Sequence, residues 1–312
     1  MQDKITILMA TYNGKPYLNK QIESLIAQTY SNWELWIRDD CSTDETMDLL
    51  NKYALQDNRI HIYKDGLKNL GPTLNFATLL SNIDFENYVM FCDQDDVWLP
   101  FKIELTLKKM KEKEISSKKP VLIYSPMTKV DNNLNPIPIK NCQYPKTTTI
   151  NKTIAQNYIY GCTMMLNRKL VELSNPISPK AENHDYWIVL IASLYETVYQ
   201  VDKSTILYRQ HDNNVSGSYR NSSFSARLTR LLDKKYDGLL NKKVQMIDAL
   251  NRHLLIKCVN NSFLDDYLSH IELGKFKAIY FLYSHRIFKY CTGTGSNILY
   301  YISVFNFKRK HK

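Results

Sequence analysis

The apolar run Tyr88-Val89-Met90-Phe91-Cys92 stops abruptly at Asp93-Gln94-Asp95-Asp96. A run of this length reads as a buried strand, which puts the acids at its carboxyl end, where open α/β sheets hold their ligands. Three carboxylates within four residues repel one another. A folded chain keeps them together when something cationic sits among them, most simply a divalent metal. Two other readings of the local pattern exist, a solvated loop or helix cap and a calcium loop of the helix-loop-helix kind. In the calcium loop Asp93, Asp95 and Glu104 would fall at the first, third and twelfth positions. Val97 then stands where the fifth ligand belongs and Trp98 where the turn requires Gly, which excludes it.

The rest of the first 125 residues alternates strand and helix signals. Ile5 to Met9 reads as a strand, after which Leu18, Ile22, Leu25 and Ile26 recur at helical spacing. Trp33 to Ile37 is a second strand, ending at Asp39-Asp40. Ser42 with Glu45 three residues on forms the pattern of a capping box ahead of a helix carrying Met47, Leu50 and Ala54. Ile60 to Tyr63 is a short third strand, and Gly71-Pro72 opens a helix with Phe76, Leu80 and Ile83 on one face. Pro100 begins another helix with Ile103, Leu107 and Met110 inward, and Val121 to Tyr124 reads as a further strand. This βαβα order predicts an α/β fold with a doubly wound, mostly parallel sheet and a nucleotide-sized crevice at the strands' carboxyl ends. From 126 to 216 the pattern loosens, with turn-rich Asp131-Asn132-Asn133 and Pro136 to Pro145. Strands are expected there at Cys162 to Leu166, Val198 to Val201 and Ile206 to Arg209, and a helix at Tyr186 to Leu194.

At 312 residues the chain can bury a stable core without disulfides or structural metals. Its cysteines, Cys41, Cys92, Cys142, Cys162, Cys258 and Cys291, are too sparse for a zinc knuckle or a redox pair, so they read as reduced thiols of a cytosolic protein. Met1-Gln2-Asp3-Lys4 runs straight into a strand rather than a signal peptide, and nowhere do about 18 apolar residues follow one another. The net charge of +10 is unevenly spread: residues 1–216 hold 24 Lys and Arg against 25 Asp and Glu, whereas residues 217–312 hold 17 against 6. The Ser-, Gly- and Asn-rich stretch Ser216 to Ser225 therefore marks an expected boundary between a near-neutral catalytic body, residues 1–217, and a basic, mostly helical region, residues 218–312. In that region Leu228, Leu231, Leu232, Leu239 and Leu240 suggest amphipathic helices, with Arg227, Arg230 and Lys234 at polar positions. Its excess charge fits an anionic partner such as lipid head groups, phosphates or nucleic acid, or else a solvated surface. Ile298 to Phe307, followed by Lys308-Arg309-Lys310, is too short to span a bilayer but suited to lie in its interface. The other reading is a small helical subdomain packed on the body.

Four pieces stand in order along the chain: Ala10-Thr11-Tyr12-Asn13-Gly14 after the first strand, Asp39-Asp40 after the second, Asp93-Gln94-Asp95-Asp96 after a later one, and His184-Asp185 at a helix start. With Gln28-Thr29-Tyr30, Ser42-Thr43-Asp44 and Trp98-Leu99-Pro100, this ordered set resembles the inverting family 2 glycosyltransferases of the GT-A fold over residues 1 to about 216. Within that family the chain looks most like bacterial rhamnosyltransferases of cell-wall or capsular polysaccharide. The likeness runs through Arg38-Asp39-Asp40, Asp93 to Pro100, Gly161-Cys162-Thr163-Met164-Met165 and Tyr208-Arg209-Gln210-His211.

The resemblance implies a role for each piece. Transfer of a sugar from a nucleotide diphosphate requires a grip on a flat base, a screen for the pyrophosphate and a base for the acceptor hydroxyl. Thr11, Tyr12 and Asn13 offer backbone groups and a ring at a strand end, and Asp40 is expected to accept the ring N–H of uracil or thymine. Asp39 matches a position that varies in the family. Asp93 is expected near the ribose and the metal, and Asp95 to hold Mg²⁺ or Mn²⁺ against the phosphates, with Asp96 close by; hard oxygen ligands suit those cations. His211 is similar to a histidine that completes the metal site in some relatives, although a lone histidine is more often structural. Arg209 is placed among the donor-binding residues, and Gly161 and Cys162 at the sugar pocket, since glycine permits close backbone approach. Asp185 is the expected catalytic base, abstracting the hydroxyl proton during in-line displacement. A helix-start acid favoured by the dipole would look the same in sequence. Many members have Glu-Asp where this chain has His184-Asp185, which leaves the contribution of His184 open. The implied partners are a dTDP- or UDP-linked donor, L-rhamnose first, and a glycan acceptor that is lipid-linked. The implied location is the cytoplasm, at the inner face of the plasma membrane.

Two rival classes fit less well. A nucleotidyltransferase predicts a Gly-rich, Arg-containing loop after the first strand, which Thr11-Tyr12-Asn13-Gly14-Lys15 is not. An RNA- or polymer-binding protein would leave the acids incidental, and the chain carries no helix-turn-helix, zinc-finger or RNA-recognition signature.

Overall fold

A computed structural model describes residues 2–115, 119–138, 148–211, 235–288 and 293–305. Its strands are β1 Ile5–Thr11, β2 Trp33–Asp39, β3 Ile60–Ile62, β4 Tyr88–Cys92, β5 Val97–Trp98, β6 Leu122–Tyr124, β7 Thr128–Val130, β8 Met164–Asn167, β9 Val198–Gln200 and β10 Ile206–Arg209. The helices of the first two thirds are α1 Lys15–Ile26, α2 Thr46–Gln56, α3 Pro72–Asn82, α4 Lys102–Glu114, α5 Ile150–Thr153, α6 Arg168–Ser174 and α7 His184–Leu194. Beyond them lie α8 Lys235–Ile256, α9 Ser262–Leu273, α10 Lys275–Ser284 and α11 Gly293–Phe305.

Seven strands form one sheet in the order β3-β2-β1-β4-β8-β6-β9, and β5-β10-β7 form a small second sheet. β1 pairs in parallel with both β2 and β4, so the strand order reverses between β1 and β4. That reversal opens a crevice at their carboxyl ends. Side chains on the two central strands alternate between two cores. Ile5, Ile7 and Met9 of β1 with Tyr88, Met90 and Cys92 of β4 face one side, while Leu8, Val89 and Phe91 face the other. The first side is covered by α1 and α4 through Leu18, Ile22, Leu25, Ile103, Leu107 and Met110. The second is covered by α3, α6 and α7. Helices on both faces make the sheet doubly wound, and burial on both faces explains why β4 reads as an unbroken apolar run.

Some local expectations shift. The pattern Ser42…Glu45 does not cap α2: the helix starts at Thr46, whose N–H donates to Asp44 Oδ1 at 3.1 Å, and the Ser42 hydroxyl donates to Asp39 Oδ1 at 2.6 Å instead. Ile26, at helical spacing with the core residues of α1, is exposed at that helix's end. The strand expected at Cys162 begins at Met164, because Gly161–Thr163 make a 3-10 turn, and β8 then runs antiparallel between β4 and β6. Cys41, Cys92, Cys162 and Cys258 are all free thiols.

The C-terminal helices are continuous with the body. Leu240, Val244, Ile247 and Leu250 of α8, Tyr267 of α9, Phe281 of α10 and Tyr300 of α11 share one core with α3 and α7. Covered by sheet on one side and by these helices on the other, α7 is buried all round from Tyr186 to Ser193. The stretch Ile298 to Phe305 packs Tyr300 and Val304 inward rather than lying free. The expected boundary at Ser216 to Ser225, the positions Arg227, Leu228, Arg230, Leu231, Leu232 and Lys234, and the terminal Lys308-Arg309-Lys310 lie outside the described residues. Among the described residues, no helix is long and apolar enough to cross a membrane.

Candidate active site

The crevice is a cavity of about 920 Å³ whose walls include Thr11, Tyr12, Asp40, Asp93, Asp95 and Gly161. Asp185, His184 and His211 also line it, so the four separate sequence pieces converge on one space.

The loop after β1 forms its outer wall. Tyr12 is half exposed, and its backbone N–H and C=O are both gripped by the Gln94 amide, at 2.9 and 3.0 Å. Gln94 thus serves as a clamp between β1 and β4, a role that its place among three acids concealed. Gly14 is demanded by that clamp, since a Cβ there would lie 2.2 Å from Gln94 Oε1. Asn13 takes a left-handed φ of 48° and accepts the Thr43 N–H at 2.8 Å, tying the β1 loop to the β2 loop. Thr11 donates its hydroxyl to Asp39 at 2.8 Å, which makes Asp39 a loop-shaping residue.

Asp40 stands on the nucleoside-sized part of the wall, but its carboxylate is heavily engaged. It receives Arg38 at 2.7 Å, the Leu70 N–H at 2.9 and 3.0 Å and the Gly71 N–H at 2.7 Å. Asp40 therefore shapes the residue 69–71 segment, and a ring N–H reaches it only by sharing or exchanging one of these bonds.

At the carboxyl end of β4 the acids divide. Asp95 turns toward the cavity and pairs with His211 Nε2 at 2.7 Å, while the His211 ring stacks on Tyr17 at 4.7 Å. Asp96 is fully buried and accepts the Arg209 backbone N–H at 3.0 Å. Asp93 also lines the cavity, and ligand atoms of Asp93, Asp96 and Cys162 fall within 4.8 Å of one another. Burial, and then the charges of Asp95 and Asp185, push Asp93 up to about 7. The Cys162 thiol lies close to Asp93 and Asp96, and burial beside these acids raises it well above the ordinary thiol range, so it stays protonated. Cys162 thus sits behind the wall rather than on it.

Two cations stand behind the acids. Arg209 is buried over the Tyr17 ring and donates to the main-chain carbonyls of Asp95, at 2.7 Å, and Asn132. It braces the acidic loop and is not among the cavity-lining residues. Lys102, fully buried against the Trp98 ring, is pushed down to about 8 by burial, against the opposing influence of Cys162, Cys92 and Asp96. On the cavity side the acids face one another. Carboxylate oxygens with one imidazole are a donor set that fits Mg²⁺ or Mn²⁺, and Asp95, Asp93 and His211, which line the cavity, are the residues that could hold such an ion. Cys162, buried behind them with its thiol raised well above the ordinary range, is not a ligand of the thiolate kind.

Asp185 lies in the first turn of α7 and lines the same cavity. Its Oδ2 accepts the Gly161 N–H at 3.1 Å, and its Oδ1 is buried with no hydrogen-bond partner among the described residues. Burial raises it to about 6, against the lowering influence of the N–H groups of Gly161 and Tyr186 and of the nearby Asn157 amide. His184 is only 8% exposed, with its ring against Phe76 at 4.2 Å and Phe91 at 4.9 Å. Burial pushes it down to about 3, so its imidazole is neutral, and its Nε2 has no hydrogen-bond partner among the described residues. That nitrogen abuts Gly161, where a Cβ would lie 2.5 Å away. Gly161→Ala is therefore expected to force the imidazole against two phenyl rings, destabilising the fold by about 1–3 kcal/mol and lowering transfer. A thermal melt measures the loss. His184→Ala in the same chain should restore it, and a double variant as unstable as Gly161→Ala alone would refute the contact.

Comparison with known proteins bears on this arrangement. The sequence profile of Glycosyl transferase family 2 matches residues 6–173. The chain is 28% identical over 288 residues to the dTDP-rhamnosyl transferase RfbG of Shigella flexneri, covering 86% of this chain and 88% of that one. It is 29% identical over 189 residues to an Escherichia coli UDP-Glc:alpha-D-GlcNAc-diphosphoundecaprenol beta-1,3-glucosyltransferase, WfgD, covering 60% and 68%. The fold resembles that of the S. aureus protein TarS, residues 1–349, in complex with UDP-GlcNAc, with a TM-score of 0.56, 19% identity and coverage of 97% and 90%. The match to the family's profile over more than half its length, with the β1, β2, β4 and α7 pieces assembled around one crevice, places this chain in glycosyltransferase family 2, as an inverting enzyme of the GT-A fold.

Proposed function

We propose that this enzyme transfers L-rhamnose from a thymidine diphosphate donor, with Mg²⁺ or Mn²⁺, to a hydroxyl of a growing cell-wall or capsular polysaccharide that is lipid-linked. The observation that carries the reaction is that one cavity is lined both by a carboxylate whose buried second oxygen has no hydrogen-bond partner among the described residues and by a metal-competent acid–imidazole pair. The donor sugar is supported by similarity to RfbG along most of both chains.

In this reading the nucleoside lies against the β1 loop, with Tyr12 offering its ring and Thr11 and Asn13 their backbone. Asp95, Asp93 and His211 would hold the cation, which when bound acts as a Lewis acid on the departing diphosphate. Asp185 takes the acceptor's hydroxyl proton at its Oδ1 as the acceptor oxygen forms a bond to the anomeric carbon. The bond from that carbon to the diphosphate oxygen breaks with its electron pair leaving on the nucleotide. Attack from the opposite face inverts the centre without a covalent intermediate. At about 6, Asp185 is still mostly ionised at neutral pH, yet it is a stronger base than an ordinary carboxylate.

A second reading keeps the site and changes the donor to a UDP-hexose or UDP-N-acetylhexosamine, as the similarity to WfgD favours. Binding isotherms for dTDP-rhamnose, UDP-glucose, UDP-galactose and UDP-N-acetylglucosamine, each with Mn²⁺, decide between them. The first reading expects dTDP-rhamnose to bind at least about tenfold more tightly than the others. Preference for a UDP sugar would overturn it in favour of the second.

A further inference from the structure

Helix α10 has done its structural work on one side only. Ala278, Phe281 and Leu282 are buried in the C-terminal core, yet Phe276, Tyr280 and Tyr283 are 77%, 72% and 70% exposed. Spaced at i, i+4 and i+7, these three aromatics fall on one face and form a stripe about 10 Å long. The apolar surface extends beyond the helix. Leu273 at the end of α9 and Ile302 on α11 are exposed, and the Phe276 ring meets Phe305 edge-on at 5.3 Å. Exposed apolar side chains scattered singly need no explanation, but a helix face made of large aromatics does.

The charge along this segment is mainly basic. Residues 273–312 contain eight Lys and Arg and no Asp or Glu, the acid just before them being the exposed Glu272 at the end of α9. Of these, Lys277 beside the stripe and Arg286 just past its end are exposed. Aromatics flanked by exposed cations match the head-group layer of an anionic bilayer, where rings sit among acyl-chain ends and cations meet phosphates. The same charge disfavours a second copy of this chain on the stripe, because two such surfaces repel. It also disfavours insertion across the membrane, for which none of the described helices is long and apolar enough.

We infer that the aromatic face of α10 docks this enzyme on an anionic lipid surface, with Phe276, Tyr280 and Tyr283 entering the interface and Lys277 and Arg286 meeting the phosphates. This deepens the reading of the acceptor as lipid-linked, and its test does not depend on sugar transfer. The full chain is sedimented with vesicles of phosphatidylcholine mixed with phosphatidylglycerol and with vesicles of phosphatidylcholine alone. The wild-type chain is expected to bind the mixed vesicles, with affinity falling as salt rises. Replacing the three aromatics together (Phe276→Ser, Tyr280→Ser, Tyr283→Ser) is expected to weaken binding by about tenfold or more. Lys277→Glu with Arg286→Glu is expected to remove the preference for the mixed vesicles. These side chains lie outside the core, and donor binding with Mn²⁺ by the same samples reports an intact body. Wild-type protein left in the supernatant, or a triple variant that binds equally well, would overturn the inference. So would a concentration-dependent dimer in analytical ultracentrifugation that the triple variant abolishes, since that would assign the stripe to self-association. Loss of donor binding with vesicle binding retained would instead count against the proposed reaction.

Discussion

Asp185→Asn is expected to reduce sugar transfer by roughly a thousandfold, within the range that a positioned general base contributes. Asn keeps the size of the side chain and an oxygen for the Gly161 N–H, so the 3-10 turn at Gly161–Thr163 and the start of α7 stay in place. What it loses is the proton-accepting oxygen that in Asp185 is buried without a hydrogen-bond partner among the described residues. Donor affinity should change by no more than a few fold, because the proposed metal and nucleoside contacts are made by other residues. Melting temperature should rise or hold: a carboxylate raised to about 6 binds its proton more tightly folded than unfolded, so ionising it at neutral pH costs the folded state stability, and Asn does not ionise. The wild-type rate should fall with decreasing pH through about 6, where Asp185 protonates, and not near 4 as for an ordinary carboxylate. Steady-state transfer across pH, together with donor isotherms, separates the outcomes. Substantial turnover by Asp185→Asn accompanied by weak donor binding would place the base elsewhere.

Asp95→Ala is expected to lower Mn²⁺ affinity by at least about a hundredfold and to abolish metal-dependent donor binding. Asp95 is the acid of the cluster that both faces the cavity and pairs with an imidazole, at 2.7 Å from His211. Asp96, by contrast, is buried and spends one oxygen on the Arg209 backbone, so Asp96→Asn should act through the packing of β5 and β10 and appear first as a loss of stability. His211→Ala should fall between the two, weakening the metal while leaving the carboxylates in place. Mn²⁺ titration followed by electron paramagnetic resonance reads metal binding directly. An unchanged metal requirement in Asp95→Ala would show that the cation is held by other groups.

The fold was legible because it is written in local physics. Alternating runs such as Ile5 to Met9 and Tyr88 to Cys92 have the period of buried strands, and Leu18, Ile22, Leu25 and Ile103, Leu107, Met110 have that of helices. Where the structure departs from the local pattern, other contacts decide. Ser42 matches a capping pattern, but its hydroxyl donates to Asp39, three residues back, and accepts the Asn13 N–H from the β1 loop. Cys162 matches the start of a strand, but the 3-10 turn there aims the Gly161 N–H at Asp185, 24 residues away. Ile26 has helical spacing, but nothing packs over the end of α1 to cover it.

By itself the sequence determined the kinds of group available and the strand ends on which they stand: three acids after β4, a polar loop after β1 and an acid at the start of α7. Charge, polarity and periodicity are properties of residue types and near neighbours, so they can be read along a line. Only the tertiary structure decided the division of labour within these groups. It turned Asp95 toward the cavity and buried Asp96, set Gln94 to clamp Tyr12, and drew Arg209 behind the acidic loop. It also closed one core over α7 while leaving the aromatic face of α10 outside. Each of these depends on which side chain is desolvated by residues tens to more than a hundred positions away, and desolvation is set by packing in three dimensions.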